Sequence, residues 1–442
     1  MGNDTMADLA ELVADQVPPA LLPGIHGGDA PAPPLAQVQA IAEVVIPAPT
    51  SSSSSSSHRG SSSPDRTNDT SETSSLANDI VESKKGMMNI DWDGEIALPP
   101  AVDFGTHTAP ASPPKVVVLT GVSGLLGGNL LKSLLANPSV EKVFCIATRR
   151  LKARLEANEL LQNSRIKYFE GDLTDPRLGL SEKECLDVFS RADVVIHNGA
   201  DTSHMKFYPE IKSANVDSTK QLIRYCSARK IPIHYVSTVG VALFGDFKSF
   251  PEISVAAHNP PTDGSQGYVA AKWVSERLLE QLQKQRGVPV YVHRPSTIIR
   301  EGTDATNAAA QIDWMNGLIE YMRKTRAVPS LKNLRGALDL VYLKSATDSI
   351  LAAVFENKNH GDVTYTHQVG DIVIPLDAMK TFVEKDTGAR NVKVMPVEEW
   401  SRMAVAAGMN RGIAALIDGM DDPGQPHYPR MLKGTKGVGV AI

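Results

Sequence analysis

The sequence predicts an α/β protein whose core is a doubly wound parallel sheet covered by helices. Three observations predict it. From residue 116 onward, short β-branched runs alternate with amphipathic helical patterns; a glycine-rich turn joins the first run to the first helix; and polar residues recur where the runs end. With 442 residues, 42% of them apolar, the chain is long enough to bury such a core.

The N-terminal part of the sequence predicts little folded structure. Residues 3–16 form one amphipathic pattern, so we expect an isolated helix within residues 1–17. Residues 18–87 are rich in Pro, Ala, Gly, Ser, Asp and Asn, and they include seven consecutive serines at 51–57. This composition favours a disordered linker over a loop packed on the next domain, because it holds few large apolar side chains.

The sheet domain is predicted at residues 88–296, and Trp92 and Ile96 are expected to anchor its first segment. The strand-like runs lie at residues 116–120, 142–147, 166–169, 193–198, 231–237 and 288–293. After residue 297 the periodicity weakens. It predicts a smaller mixed α/β substrate-binding and lid region at 297–442, from which one strand returns to the sheet.

The stretch VVVLTGVSGLLGG, residues 116–128, follows a strand pattern with Gly121, Gly124 and Gly127 and then a helix. Glycines in such a place are compatible with a tight turn alone. Within a complete strand–turn–helix unit, however, they expose backbone N–H groups and the positive helix end, which suit a pyrophosphate. The unit therefore predicts a Rossmann-type dinucleotide site.

The second strand ends in Thr148, Arg149 and Arg150, where a protein that prefers NAD usually carries an acid. Two arginines favour the 2′-phosphate of NADP, although they are also compatible with a solvated strand end. Asp172, after the third strand, is placed either to accept from the adenine amino group or to cap the next turn.

Three further groups follow strands on the same edge. Small residues at 198–200 leave room for a cofactor ribose. Thr238 follows the fifth strand, and Tyr268 lies one helical turn before Lys272. A nearby ammonium stabilises a phenolate, so we expect Lys272 to lower the pKa of Tyr268, while Thr238 shares hydrogen bonding to a substrate carbonyl oxygen. The alternative is an ordinary half-exposed helix pair and a strand-end cap.

Several of these motifs resemble those of a known family: TGVSGLLGG, GDLTD, the run from Gly199 to Lys220, HYVSTVGVA, PPTDGSQGYVAAKW and HRPSTI. They are similar to the extended short-chain dehydrogenase/reductases. More narrowly, residues 88–430 resemble the C-terminal thioester reductase or Dieckmann cyclase-type release domain of fungal hybrid polyketide synthase/nonribosomal peptide synthetases. The first helix resembles the last helix of a carrier domain, whose serine is absent, so the chain looks like the tail of such an assembly line.

The resemblance implies a catalytic trio of Thr238, Tyr268 and Lys272 and an NADP(H) site. The predicted cofactor contacts are Thr120, Gly121, Ser123, Gly124, Leu125, Leu126, Gly127, Arg149, Arg150, Asp172, Leu173, Asn198, Gly199, Ala200, Asn215, Tyr268 and Lys272. Leu125 stands where the family commonly has Phe. His204 and Met205 occupy positions where substrate contacts vary, so acyl preference cannot be transferred.

The resemblance leaves two reactions open. In one, NADPH reduces an acyl thioester on the phosphopantetheine arm of a carrier domain, within a polyketide synthase/nonribosomal peptide synthetase, to an aldehyde or alcohol. In the other, a base removes the proton between two carbonyls, and the carbanion closes a tetramic acid without redox chemistry. A third possibility is a non-catalytic NADP-binding scaffold. The intact trio favours reduction.

Composition excludes some functions. The net charge of −5 is not gathered into a basic stripe, which disfavours nucleic acid. The three cysteines and 11 histidines show no metal-ligand spacing, so we expect no metal. We expect His197, His234 and His293 to pack within the core. No apolar run is long enough to span a membrane and no secretory signal pattern is visible, so the expected location is the cytoplasm.

Overall fold

A computed structural model describes residues 89–105, 108–151, 162–300, 313–356, 361–421 and 428–434, which belong to one compact unit, 81–442. The helix predicted at residues 3–16 and the linker predicted at 18–87 lie outside the described residues. Among the described residues, no helix is long and apolar enough to cross a membrane.

The main sheet has seven parallel strands in the order β11-β7-β5-β4-β1-β2-β3. Their bounds are β1 Val116–Thr120, β2 Lys142–Thr148, β3 Ile166–Glu170, β4 Val194–His197, β5 Ile233–Val236, β7 Val290–Pro295 and β11 Thr364–Gln368. This confirms the predicted parallel α/β fold. The order reverses at β1, which lies between β2 and β4, so the carboxyl ends of β1 and β4 form the crevice where ligands bind in such sheets.

Smaller sheets are built from short strands. A three-stranded sheet has the order β12-β10-β8, and the pairs β13–β9 and β14–β6 are separate. The bounds are β6 Ser249–Phe250, β8 Thr297–Ile299, β9 Ala327–Ser330, β10 Ala337–Tyr342, β12 Ile372–Pro375, β13 Lys393–Pro396 and β14 Arg430–Met431.

Helices cover the main sheet and build the C-terminal region. Their bounds are α1 Trp92–Glu95, α2 Leu125–Ala136, α3 Glu182–Arg191, α4 Tyr208–Lys212, α5 Ser218–Ser227, α6 Gly267–Arg286, α7 Trp314–Thr325, α8 Leu343–Glu356, α9 Met379–Thr387, α10 Val397–Ala406 and α11 Arg411–Gly419. A π-helical turn, Ser213–Asp217, joins α4 to α5. Local sequence explains several ends: Ser181 and Glu184 form a capping box at α3, and Gly287, with φ of 64°, ends α6.

The core extends across the predicted boundary at residue 296. Strand β11, from the C-terminal region, pairs with β7 as the returning strand predicted from the sequence. Helix α8 packs Ile350 and Val354 into the apolar cluster that also contains Leu119 and Leu130. A separate cluster around Trp400, which is fully buried, forms the centre of the remaining C-terminal helices.

The segment before β1 is anchored as predicted. Trp92 is 5% exposed, packs edge-on against the rings of Tyr208 and Trp273, and donates from Nε1 to the Pro260 carbonyl at 3.0 Å. The Glu95 carboxylate accepts from the Tyr208 hydroxyl at 2.7 Å. Helix α1 is thereby fixed to the starts of α4 and α6.

Candidate active site

The glycine turn contains two glycines that packing requires and one that it does not. Gly121 has φ of 70°, and a Cβ there would lie 2.5 Å from the Cα of Gly199. A Cβ on Gly127 would overlap the Gly121 carbonyl oxygen. A Cβ on Gly124 would meet that oxygen only at an ordinary 3.5 Å. Gly124 therefore serves no packing need, and its bare backbone leaves room over the start of α2.

The start of α2 fits an anion. Gly124 is its N-cap residue and supplies no side-chain cap, so the first N–H groups of the helix face the crevice with the positive end of the helix dipole. The next residues of the turn and helix, Ser123, Leu125 and Leu126, belong to the same predicted set, and Leu125 is 38% exposed. The donor set thus suits the pyrophosphate of a dinucleotide.

Two hydrogen bonds join the turn after β1 to the turn after β4. The Asn198 amide donates to the Gly121 carbonyl at 3.2 Å, and the Gly199 N–H donates to the Thr120 hydroxyl at 2.9 Å. His197, which is buried, lies 2.8 Å from the same hydroxyl. Thr120 and Asn198 therefore hold two backbone turns against each other, with Ala200 following at the crevice.

Asn215 acts on the loop after Ala200. It is 1% exposed within the π-helical turn, accepts from the Asp201 N–H at 2.7 Å and donates to the Asp201 carbonyl at 2.8 Å. Its side chain is thus committed to the loop. Direct contact of Asn215 with a cofactor stays a prediction.

The ends of β2 and β3 lie side by side. Arg149 Nε is 3.8 Å from Asp172 Oδ2, and the two side chains are 47% and 36% exposed. Asp172 Oδ1 accepts from the N–H and the hydroxyl of Thr174 at 2.9 and 2.8 Å, so this residue does form the turn that the sequence allowed. A solvent-accessible ion pair of this length is weak. Arg150 has φ of 51°, and Leu173 lies against Gly199.

Thr238 follows β5 directly, and Lys272 contacts the end of the same strand, with Tyr268 one helical turn before it on α6. Thr238 caps a 3₁₀ turn: its hydroxyl oxygen accepts from the Gly240 N–H at 3.1 Å, which leaves its own O–H to donate. Lys272 is 2% exposed, donates to the Val236 carbonyl at 2.6 Å, and has its Nζ 5.8 Å from the centroid of the Tyr268 ring.

The pKa expectation for this pair was wrong in direction. Burial raises the pKa of Tyr268 above its ordinary value, and the charge of Asp313 raises it further. Burial also lowers the pKa of Lys272 to about 7, against the opposing charge of Glu276. The reason is that the Lys272 ammonium bonds to a backbone carbonyl rather than to the phenol, so it does not offset the desolvation of the phenolate.

A buried ion pair that was not predicted from the sequence lies behind this site. Glu276 lies one helical turn after Lys272, and its carboxylate binds Arg294 of β7 through two bonds of 2.7 and 3.0 Å, with both side chains fully buried. The same carboxylate accepts from the Ser237 hydroxyl at 2.5 Å. Spacing to Lys272 was the only sequence signal for Glu276. The pair links the end of β5, which precedes Thr238, to the helix α6 that carries Tyr268 and Lys272.

Among the described residues, no group of three or more His, Cys, Asp or Glu is placed to hold a metal ion. The parallel sheet, the glycine turn at its switch point and the Tyr–Lys pair at a neighbouring strand end define an extended short-chain dehydrogenase/reductase, an enzyme of the reductase type with a nicotinamide cofactor.

Comparison with known proteins makes this more specific. The chain belongs to the male sterility protein family of NAD-binding domains, whose model matches residues 119–348. It is 61% identical, over 98% of its length, to the highly reducing polyketide synthase calA of Penicillium decumbens, and 37% identical, over 78%, to the PKS-NRPS hybrid synthetase cheA of Chaetomium globosum. It spans only 15% and 8% of those two proteins.

Among solved structures, the terminal R domain of the myxalamid PKS-NRPS pathway aligns with a TM-score of 0.60 at 25% identity, covering 78% of this chain and 89% of that domain. The predicted resemblance to release domains of such synthases is therefore confirmed.

Proposed function

We propose that this domain releases a polyketide acyl chain from its carrier-bound thioester by NADPH-dependent reduction to an aldehyde, with further reduction to an alcohol as an option. The observation that carries the proposal is the position of Lys272, whose Nζ donates to the Val236 carbonyl at the end of β5, two residues before Thr238, and lies 5.8 Å from the centroid of the Tyr268 ring. Hydride from the nicotinamide is the chemistry that the cofactor supplies when bound.

The residues present fit NADPH. Gly124 leaves space above the helix N-terminus for the pyrophosphate. Arg149, whose Nε lies 3.8 Å from the half-buried Asp172 carboxylate, provides a planar guanidinium for the 2′-phosphate. No acid stands beside Arg149 and Arg150 in the sequence to bind a ribose 2′-hydroxyl instead.

The side chains of the trio divide the work at the thioester carbonyl. Tyr268, with its raised pKa, stays a protonated phenol at neutral pH and donates its proton to the oxygen on which negative charge develops. The Thr238 O–H, left free to donate because its oxygen accepts from Gly240, stabilises the same oxygen. Lys272, whose pKa burial lowers to about 7, is held by the Val236 carbonyl with its Nζ 5.8 Å from the centroid of the Tyr268 ring.

The relatives favour a polyketide substrate without an amino acid. The relative that is 61% identical is named a highly reducing polyketide synthase, whereas the hybrid with a peptide synthetase is 37% identical. A tetramic acid ring includes the nitrogen of an amino acid, so the cyclase reaction needs a substrate that only the more distant relative's name suggests. A carrier domain is the partner in either case.

The test uses an acyl thioester of N-acetylcysteamine, with and without NADPH, and identifies products by mass. We expect an aldehyde or alcohol only with NADPH, no activity in Tyr268→Phe, and wild-type activity in Tyr168→Phe, whose buried hydroxyl in β3 has no hydrogen-bond partner among the described residues. For the cyclase, an aminoacyl β-ketoacyl thioester is offered. A tetramic acid formed equally with and without NADPH would contradict the proposal, and binding of NADPH without turnover would favour a scaffold.

A further inference from the structure

The loop from β4 to α4 brings a second titratable group to the catalytic phenol. The His204 ring stands edge-on to the Tyr268 ring, with centroids 5.0 Å apart and an interplanar angle of 67°. His204 is exposed, whereas Lys272, on the same phenol, is 2% exposed and bonded to the Val236 carbonyl. Tyr268 therefore has a buried amine and a solvent-accessible imidazole as neighbours.

The loop is fixed on both sides of His204. Asp201 is held through its backbone by Asn215, and its carboxylate binds the Lys206 ammonium at 2.7 Å. Gly267, directly before Tyr268, packs so closely on the backbone of residues 206–208 that a Cβ would overlap it. The backbone that carries the imidazole is thus held close to the backbone that carries the phenol.

Reduction of a thioester needs two proton transfers on different atoms, and this argument rests on the proposed function. After hydride reaches the carbonyl carbon and Tyr268 protonates the oxygen, a hemithioacetal remains. Its collapse to the aldehyde breaks the C–S bond, and the bonding electron pair leaves with the sulfur. The hydroxyl proton returns to the Tyr268 phenolate, so the phenol cannot also protonate the thiolate in that step.

We propose that His204 is a further catalytic residue, which donates a proton to the departing thiolate sulfur of the carrier arm. The imidazolium loses one proton to sulfur and regains one from solvent, to which it is exposed. The sum balances: thioester, NADPH and one proton give aldehyde, thiol and NADP⁺. Lys272 cannot serve the sulfur, because it is buried and its Nζ is engaged by Val236.

Asp313, at the N-cap of α7, is the acid that acts on both rings. Its Oδ1 accepts from the N–H and the side-chain amide of Asn316 at 2.8 and 3.0 Å. Partial burial of the imidazole lowers the pKa of His204, and the charge of Asp313 opposes that shift. The carboxylate thus favours the imidazolium form that donation requires.

The test separates the two proton transfers in a single turnover. Two octanoyl thioesters are used, one of N-acetylcysteamine and one of thiophenol, a more acidic thiol that leaves without an acid catalyst. With His204→Gln we expect NADPH oxidation within twofold of wild type, but release of N-acetylcysteamine at least tenfold slower; thiophenol release should change by less than twofold. The control His258→Gln removes another histidine that stands edge-on to an aromatic ring, Phe247, and should behave as wild type.

Three outcomes would overturn the assignment of His204. Unchanged release of both thiols would show that sulfur needs no acid here. Equal slowing of NADPH oxidation and of both releases would show that His204 only supports Tyr268. If wild-type protein oxidises no NADPH with either thioester, the proposed function fails first and this assignment fails with it.

Discussion

Replacing either Glu276 or Arg294 alone should destabilise the domain far more than replacing both residues of this buried ion pair together. Arg294 makes two bonds to Glu276 and one of 2.8 Å to the Ile253 carbonyl, and its guanidinium lies 5.0 Å from the Phe250 ring and 4.5 Å from the Tyr365 ring. Both partners are fully buried, so loss of one leaves the other charge without water or a counterion.

The expected magnitudes follow from that burial. Glu276→Gln or Arg294→Met alone should each lower the free energy of unfolding by about 3 to 5 kcal/mol, because a buried charge is left uncompensated. The double variant removes both charges, and similar replacements elsewhere are neutral or stabilising. We therefore expect it to be destabilised by at most about 2 kcal/mol, which gives a coupling energy of about 4 kcal/mol or more.

Urea unfolding followed by tryptophan fluorescence measures these values in the full chain. Asp348→Asn, which removes an ion pair to Lys344 whose two side chains are 57% and 72% exposed, is the control and should cost less than about 1 kcal/mol. The reasoning fails if Glu276→Gln is as stable as the control variant, or if the double variant loses the sum of the two single losses.

Three other predictions follow from the site and the core. Arg149→Ala should weaken NADPH binding about tenfold or more, because one charge-assisted bond to the 2′-phosphate is worth about 1.5 to 3 kcal/mol. NADH lacks this phosphate, so its binding should be unchanged. Equal weakening of NADPH and NADH binding in calorimetric titrations would argue against a phosphate contact. Gly127→Ala should destabilise the fold, because the added Cβ would overlap the Gly121 carbonyl oxygen. Gly124→Ala should melt near the wild-type temperature but bind NADPH more weakly. Similar melting temperatures of the two variants would contradict the packing argument. Burial lowers the pKa of His197 and of His293 to about 3, so the unfolded chain binds protons at these positions below about pH 6.5 while the folded chain does not. Stability should therefore be full above that pH and fall as pH decreases towards 3, and His197→Asn should reduce the slope of unfolding free energy by about 1.4 kcal/mol per pH unit; an unaltered slope would refute it.

Local patterns were sufficient to predict six of the seven strands of the main sheet and the turns that end them. Strand β1 has the predicted bounds, 116–120. In a sequence that alternates strand and helix patterns, a β-branched run followed by glycine predicts a strand that ends in a turn. The burial of His197, His234 and His293 was also predicted, since each lies within or at the end of an apolar run. The shared edge of Thr238 and the helical pair follows from parallel topology alone.

What the sequence left out depends on distance along the chain. Glu276 and Arg294 meet only after a helix is laid on the sheet, and Asp313 acts on His204 across two regions that no local pattern connects. The direction of the Tyr268 pKa was mispredicted for the same reason. The four-residue spacing places Lys272 on the same helix face as Tyr268. That the Lys272 ammonium donates to the Val236 carbonyl is visible only in the folded structure.

The seventh strand has a consequence for engineering. Strand β11 pairs with β7 from Tyr291 to Pro295. A protein truncated at residue 296 would therefore expose β7 as an unpaired edge strand, which promotes aggregation. Chimeras of related domains in which only the C-terminal segment is exchanged would also disturb the pairing of β7 with β11. Recombination junctions placed before residue 89 would transplant the sheet together with its returning strand.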